Sequence, residues 1–345
     1  MMRRFLLMFA VAITLGSAAA RLCAQQTYTL TDIAACNEVI GPFHMLINAT
    51  GQIAGYMENG SGNDTAFVWT PSAANAATGT FAWLPAPNGT HTSVPYGINS
   101  SGLIIGTRTY QNGTYKIKGK TFPNYVTVPV EWQPNGSNYV FVALPAGTPS
   151  AAINDAEEIV GGTSLFANGQ TYPLPGVQAT SINKSGQVAG IFDSNATTGY
   201  LWTPSTPNGT TGSYVTFPFY PSQVNDLGQV IGFPVSLGAR TNPALFSTSG
   251  GTQYLTPQGT YGNANGINNL TQVVGDINMP NGQTEAYIWD STHGLRYLND
   301  TTQFTIVNGA GWNLVWAWGI NDFGQIVGFG FNPAGAERYF LLTPQ

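Results

Sequence analysis

The ten residues from Ile320 to Phe329, INDFGQIVGF, occur again at Val224 (VNDLGQVIGF) and Ile182 (INKSGQVAGI). Looser copies begin at Ile47, Ile98, Ile153 and Ile267. Seven copies of one phrase constrain the fold more than any other feature of the chain. Repetition at a period of 20–50 residues marks a single array or ring rather than separate domains. The Asn residues that follow the opening Ile or Val are Asn48, Asn99, Asn154, Asn183, Asn225, Asn268 and Asn321. Their spacings of 51, 55, 29, 42, 43 and 53 average 45.5, near the length of a four-stranded propeller blade.

One copy reads as four strands. From Ala179 run ATSIN, a turn NKSG, then QVAGIFD, GYLWTPS and SYVTFPF. Each run is short, rich in β-branched and aromatic residues, and bounded by Gly, Asn, Pro or Ser. The Asn-x-x-Gly turn has a mechanism: a type I turn followed by a left-handed residue, with Asn bonding the backbone ahead and Gly taking positive φ. Gly51, Gly102, Gly186, Gly228 and Gly324 stand at that position, whereas copies three and six carry Glu157 and Thr271. Those two turns are expected to be strained or differently shaped. A second Gly recurs within the second strand in all seven copies, from Gly55 to Gly328. It predicts a bulge or close backbone approach, with crowding near a ring axis as the cause. Trp69, Trp132, Trp202 and Trp289 on the third strand, with Phe246 and Leu342 in their place elsewhere, suit the space between blades.

Repeated sheets bury both faces by closing into a ring. The last copy ends on RYFLLTP, a third strand, and lacks a fourth. QTYTL (Gln26–Leu30) resembles QTYPL (Gln170–Leu174), the fourth strand of copy three. The expectation is an all-β, seven-bladed propeller of four-stranded antiparallel blades over residues 25–345, with residues 27–32 as the outermost strand of the last blade. Blade three is condensed. Blade two carries a long insertion, roughly Thr107 to Thr127.

The N-terminus reads as a secretory signal over residues 1–24: MMRR, an apolar run from Phe5, then small residues, with cleavage after Ala24 or alternatively Ala20. Arg21 and Leu22 before Cys23 argue against a lipid-attached cysteine. Export fits the composition: only 8% charged residues, yet 43% hydrophobic and 12% aromatic, enough for a core. Cys36 is the single cysteine of the expected mature chain. That chain holds 8 basic and 16 acidic residues, which argues against nucleic acid or anionic membrane as a general partner. No later segment is long and apolar enough to span a membrane. Half of the basic charge (Arg108, Lys116, Lys118 and Lys120) falls in one stretch that reads as a solvated loop.

The unit A-x-x-I-N-x-x-G-Q-[IV]-[VA]-G followed by A-F-[LVI]-W resembles the HAF repeats of bacterial extracellular repeat proteins. INATGQIAGY…TAFVWT (Ile47 to Thr70) and INNLTQVVGD…EAYIWD (Ile267 to Asp290) carry it, as does the opening YTLTDI. The resemblance implies export and a repeat scaffold. It implies no reaction and no catalytic residues.

Chemistry is sparse. His44, His91 and His293 fall in three blades and in no metal-binding motif. There is no nucleophile elbow or phosphate loop. The aspartates of NDAEE, NDLG and NDFG are accounted for by turn formation, and no cofactor or metal is expected. Arg108, Arg240 and Arg338 fall between second and third strands, on the rim that also carries the connections between blades; Glu58, Asp193, Asp276 and Glu285 lie near them. Arg296 falls in an outer strand. Trp316 and Trp318 read as inter-blade packing, Trp312 as a loop residue. The expected ligand surface is therefore the rim of Arg108, Tyr110, Arg240, Asp276, Trp312 and Arg338. The expected role is a monomeric, non-catalytic scaffold binding a glycan or cell-surface protein. A propeller glycoside hydrolase or polysaccharide lyase is the alternative.

Overall fold

The computed structural model describes residues 25–36, 45–60, 62–236, 239–240 and 242–345. The signal-peptide reading and His44 lie outside them. Seven antiparallel sheets follow one another, each beginning with a strand that ends on the repeated Ile/Val-Asn. Blade 4 is representative: Gln178–Ile182, Val188–Ile191, Gly199–Pro204 and Gly212–Phe217 pair in sequence order. The chain is an all-β, seven-bladed propeller.

The core is divided among the interfaces between blades. Seven separate clusters of buried side chains correspond to the seven interfaces. The third-strand tryptophans lie in them as the sequence led us to expect. Trp132 packs on Ala54 and Val68 of blade 1, Trp202 on Val160 and Leu165 of blade 3, and Trp289 on Ile231 and Leu245 of blade 5. Each such side chain contributes about 1.5–3 kcal/mol by leaving water, so every blade depends on both neighbours.

The second-strand Gly is explained, with a correction to its cause. A Cβ at Gly275 would lie 1.9 Å from the carbonyl oxygen of Asn263, and one at Gly328 would lie 2.0 Å from that of Trp316. The obstacle is the first strand of the same blade, not crowding at the axis. Beside these glycines the first strand slips register by one residue, at Ala264/Gly266 and Ala317/Gly319 for instance. On the other side the third-strand partner is aromatic: Gly55 pairs with Phe67, Gly190 with Tyr200, Gly275 with Tyr287 and Gly328 with Phe340. The ring fills the space that the missing side chain leaves.

The closing strand, Gln26–Ala35, pairs antiparallel with Glu337–Pro344 and completes blade 7. It is not outermost. Phe304–Val307, from the connection between blades 6 and 7, pairs parallel along its other edge, so blade 7 has five strands. Tyr28 and Leu30 are buried in the blade 6–7 cluster, and burial pushes the Tyr28 phenol up to about 12. Arg296 stands beside this strand, bonded to Asp290 at 2.8 Å and Gln26 at 3.3 Å, with its guanidinium over the Phe304 ring.

The insertion in blade 2 is not a loop. Its second and third strands, Ile104–Ile117 and Lys120–Asn135, run on as one paired ribbon to a turn at Lys118–Gly119. Both turn residues have positive φ, 48° and 79°, as a two-residue hairpin turn requires.

Candidate functional site

The Asn-x-x-Gly turns form one end of the ring, the turn face. Each repeat Asn is buried, and in six of the seven blades it makes three kinds of hydrogen bond; Asn99 lacks the second kind, to a Gln or Glu side chain, because Leu103 stands at that position. In Asn225, Oδ1 accepts the main-chain N–H groups of Leu227 and Gln229, which shapes the turn. Its Nδ2 donates to Gln229 Oε1 at 2.7 Å. The same Nδ2 donates to the carbonyl oxygen of Asn268 in the next blade at 3.0 Å. This last bond repeats around the whole ring. Asn48 donates to Asn99 at 3.0 Å, Asn99 to Asn154 at 3.4 Å, Asn154 to Asn183 at 3.2 Å and Asn183 to Asn225 at 2.9 Å. Asn268 donates to Asn321 at 3.0 Å, and Asn321 returns to Asn48 at 3.2 Å. Glu157 and Thr271 adopt the left-handed conformation of the glycines they replace, with φ of 59° and 58°, so those two turns keep the common shape.

A second, partial ring lies outside the first. In four blades the residue after the Asn caps the neighbouring turn. Asp155 accepts the N–H of Ser100, Asp226 that of Lys184, Asn269 that of Asp226, and Asp322 that of Asn269. Asn269 also donates to both Asp226 and Asp322. The aspartates therefore join blades rather than form their own turns. Within these rings is an axial cavity of ≈ 190 Å³, lined by the Ile/Val-Asn-x triplets of all seven blades together with Gln223. Three carboxylates (Asp155, Asp226 and Asp322) and the Lys184 ammonium surround it. Its amides and carboxylates are engaged in inter-blade bonding. Among the described residues, no group of three or more His, Cys, Asp or Glu is placed to hold a metal ion.

The expected rim lies at the other end, the connector face. Arg108 and Arg338 are in strands, not loops. Arg108 donates to Thr90 Oγ1 at 2.6 Å and lies over the Tyr110 ring at 4.5 Å. Arg338 pairs with Asp32 of the closing strand at 2.7 Å. Asp276 is buried and accepts from Asn263 at 2.8 Å and Asn265 at 2.9 Å. Trp312 is half-buried against the blade 6–7 cluster. Arg240 is in a short hairpin of blade 5, Val235–Ser236 with Ala239–Arg240. Of the acidic neighbours, Asp193 forms a turn of its own, and the hydrogen bond from Thr198 holds its carboxyl below the usual range. Arg108, Asp193, Asp276 and Arg338 are thus engaged locally, each in its own blade. Trp316 and Trp318 stack on each other at 6.0 Å and pack against Phe329, between blades 7 and 1. Arg296 is buried under the closing strand.

Two features were missed. The Gln of the repeat received no role, yet in six blades the Gln or Glu there accepts from Asn Nδ2. The aromatic residues of the blade 2 ribbon were also passed over. The signal was present: TYKIKGKTF alternates around a Lys-Gly turn, which is a hairpin pattern.

No family model matches this sequence. No curated protein matches it either. Among solved structures, it is similar to the crystal structure of Porphyromonas gingivalis dipeptidyl peptidase 4 at 10% identity and a TM-score of 0.31. The match covers 88% of this chain but only 45% of the other, and a likeness that weak carries no argument about function.

Proposed function

We propose that the chain is an exported, non-catalytic ring scaffold that binds a glycan or a cell-surface protein through its connector face. The observation that carries this is where the insertions go. On the turn face, the loops after Pro71 and Pro204 fold inward. Their Asn75 and Asn208 side chains accept from Asn321 and Asn154 of the inner ring. On the connector face, blade 2 extends into a ribbon and blade 5 into a second hairpin, neither of which the ring requires. One end is occupied with closure; the other carries extra surface. The resemblance of the repeat unit to HAF repeats supports export and a scaffold role. Local pairing of Arg108, Asp276 and Arg338 supports binding over catalysis, since no nucleophile, base and acid converge there.

A glycan array read alongside a reducing-sugar release assay tests this. Binding without turnover supports it, and turnover overturns it. Trp312→Ala combined with Arg338→Ala is expected to abolish binding while leaving the melting temperature within a few degrees, because a part-exposed ion pair contributes roughly 1 kcal/mol or less. Normal binding by that variant, with loss on changing Asp226 or Asp322, would move the site to the turn face.

A further inference from the structure

We infer that the blade 2 ribbon is a binding element for an extended, carboxylate-bearing polysaccharide, which lies along the face made by Tyr115 and Phe122. This rests on the reading of the connector face as a binding surface and names its ligand class. Four large exposed hydrophobic side chains fall within eleven residues here: Tyr115, Ile117, Phe122 and Tyr125, at 48%, 54%, 38% and 46% exposure. Among the described residues no other stretch of that length holds more than two. Tyr115 pairs with Phe122 across the ribbon, their rings stacked at 5.7 Å and 25°. Ile117 and Lys120, two pairs on, share that face. Tyr125 is held at the base by stacking on His91 at 4.9 Å.

The charge is all of one sign, with Lys120 on the aromatic face and Lys116 on the opposite one. Lys116, Lys118 and Lys120 surround the tip, and the sequence has no Asp or Glu between Asp64 and Glu131. Among the described residues none of the three lysines is in an ion pair. A ribbon needing only to hold itself together would set opposite charges across the strands. Here Lys116 faces Thr121, and Lys120 faces Ile117. The remaining requirement is a ligand with an apolar ring face and a negative charge. Sugar rings stack on aromatic faces, and a uronic acid adds one carboxylate per sugar.

Other polyanions fit less well. A membrane would be met tip-first, and the tip is Lys118–Gly119 rather than apolar. Duplex DNA carries a charge about every 1.7 Å, denser than three lysines at one tip can match, and its stacked bases offer no free ring face to Tyr115 and Phe122. Association by this element should be steered by charge and weaken with salt.

The test uses the full mature chain in biolayer interferometry. The probes are polygalacturonate, its fully methyl-esterified form, oligo-dT and phosphatidylserine vesicles. Polygalacturonate should be retained, with affinity falling as salt rises. Lys116→Gln, Lys118→Gln and Lys120→Gln together should weaken retention tenfold or more and flatten the salt dependence. Tyr115→Ser with Phe122→Ser should weaken it about fivefold and leave the salt dependence unchanged. Both variants should melt like the wild type, because the ribbon lies beyond the blade core. Equal retention of the esterified form, retention only of vesicles or oligo-dT, or wild-type affinity in the lysine variant would each overturn the assignment. If polygalacturonate binding is lost with Trp312→Ala/Arg338→Ala but not with the ribbon variants, the ribbon is excluded and the connector face stands. If the wild type does not retain polygalacturonate, this assignment fails, while the glycan array decides the connector-face reading separately.

Discussion

The side-chain amide of Asn321 donates to the carbonyl oxygen of Asn48 at 3.2 Å, across 273 residues of chain. This bond closes the inner ring at the seam between blades 7 and 1. Asn321 also donates to Gln325 Oε1 and Asn75 Oδ1, while its own oxygen accepts the N–H of Gln325.

Asn321→Asp keeps the shape and the acceptor but replaces the donor with a carboxylate facing three oxygens. Leaving such groups unsatisfied costs roughly 1–3 kcal/mol, and more when charge is involved. We expect a loss of about 3 kcal/mol or more in urea unfolding. Asn99→Asp should cost visibly less, because its ring bond is the longest at 3.4 Å and Leu103 stands where other blades have Gln or Glu. Equal losses at the two sites would show that the ring bonds do not set the cost.

Deletion of residues 25–34 removes Tyr28, Leu30 and Ile33 from the core and leaves Glu337–Pro344 and Phe304–Val307 without their shared partner. Burial of three such side chains is worth about 5–8 kcal/mol, comparable with the whole stability of a domain. The truncated chain should lose its cooperative thermal transition, and a synthetic peptide of residues 25–35 should restore part of it. A truncated chain that melts like full length would show that this strand does not close the ring.

Glu158 is the one carboxylate at the repeat Gln position. Burial raises its pKa above the usual range, against the opposing hydrogen bond from Asn154. The folded state therefore holds this proton more tightly than the unfolded chain. Stability should fall as pH rises from the ordinary Glu value through the raised one, and stay level above it. Glu158→Gln keeps the acceptor for Asn154 and removes the charge. It should be more stable than wild type at pH 7, with the advantage shrinking toward pH 4. A variant less stable at pH 7 would mean that the charge is favourable where it sits.

Gly275→Ala places a methyl group 1.9 Å from the Asn263 carbonyl and 2.8 Å from the Tyr287 ring. Neither can retreat without opening the sheet, so a cost above about 4 kcal/mol is expected. Gly282→Ala meets nothing within 4 Å, and its burden is only a φ of 84°. That variant should lose roughly 1–2 kcal/mol. A gap this wide would separate steric closure from backbone conformation.

What could be read from the sequence was whatever a single repeat states about itself. The turn, the glycine and the third-strand Trp each follow from residues a few places apart. The inner ring did not, because six of its bonds join residues 29 to 55 positions apart and the seventh spans 273, so they become visible only once the blades stand side by side. The strand Phe304–Val307 was hidden for the same reason: its partner lies 278 residues away and pairs in parallel. The ribbon of blade 2 was legible as alternation, but its lysines drew the reading toward a solvated loop. The expected rim residues do share one end of the propeller, yet Arg108, Asp276 and Arg338 are engaged locally, and pairing of that kind leaves no mark in sequence spacing.

The placement of the closing strand also sets an order of events. Gln26–Ala35 is the first of the described strands to be synthesised, but its partner Glu337–Pro344 is the last. Until the final blade exists, the early strand has an alternating apolar edge and no place to put it. A partly made chain therefore cannot lock, however many blades it has assembled. The seam acts as a completion check: a truncated product would expose an unpaired strand at one end and an open sheet at the other, the kind of edge that pairs with other chains.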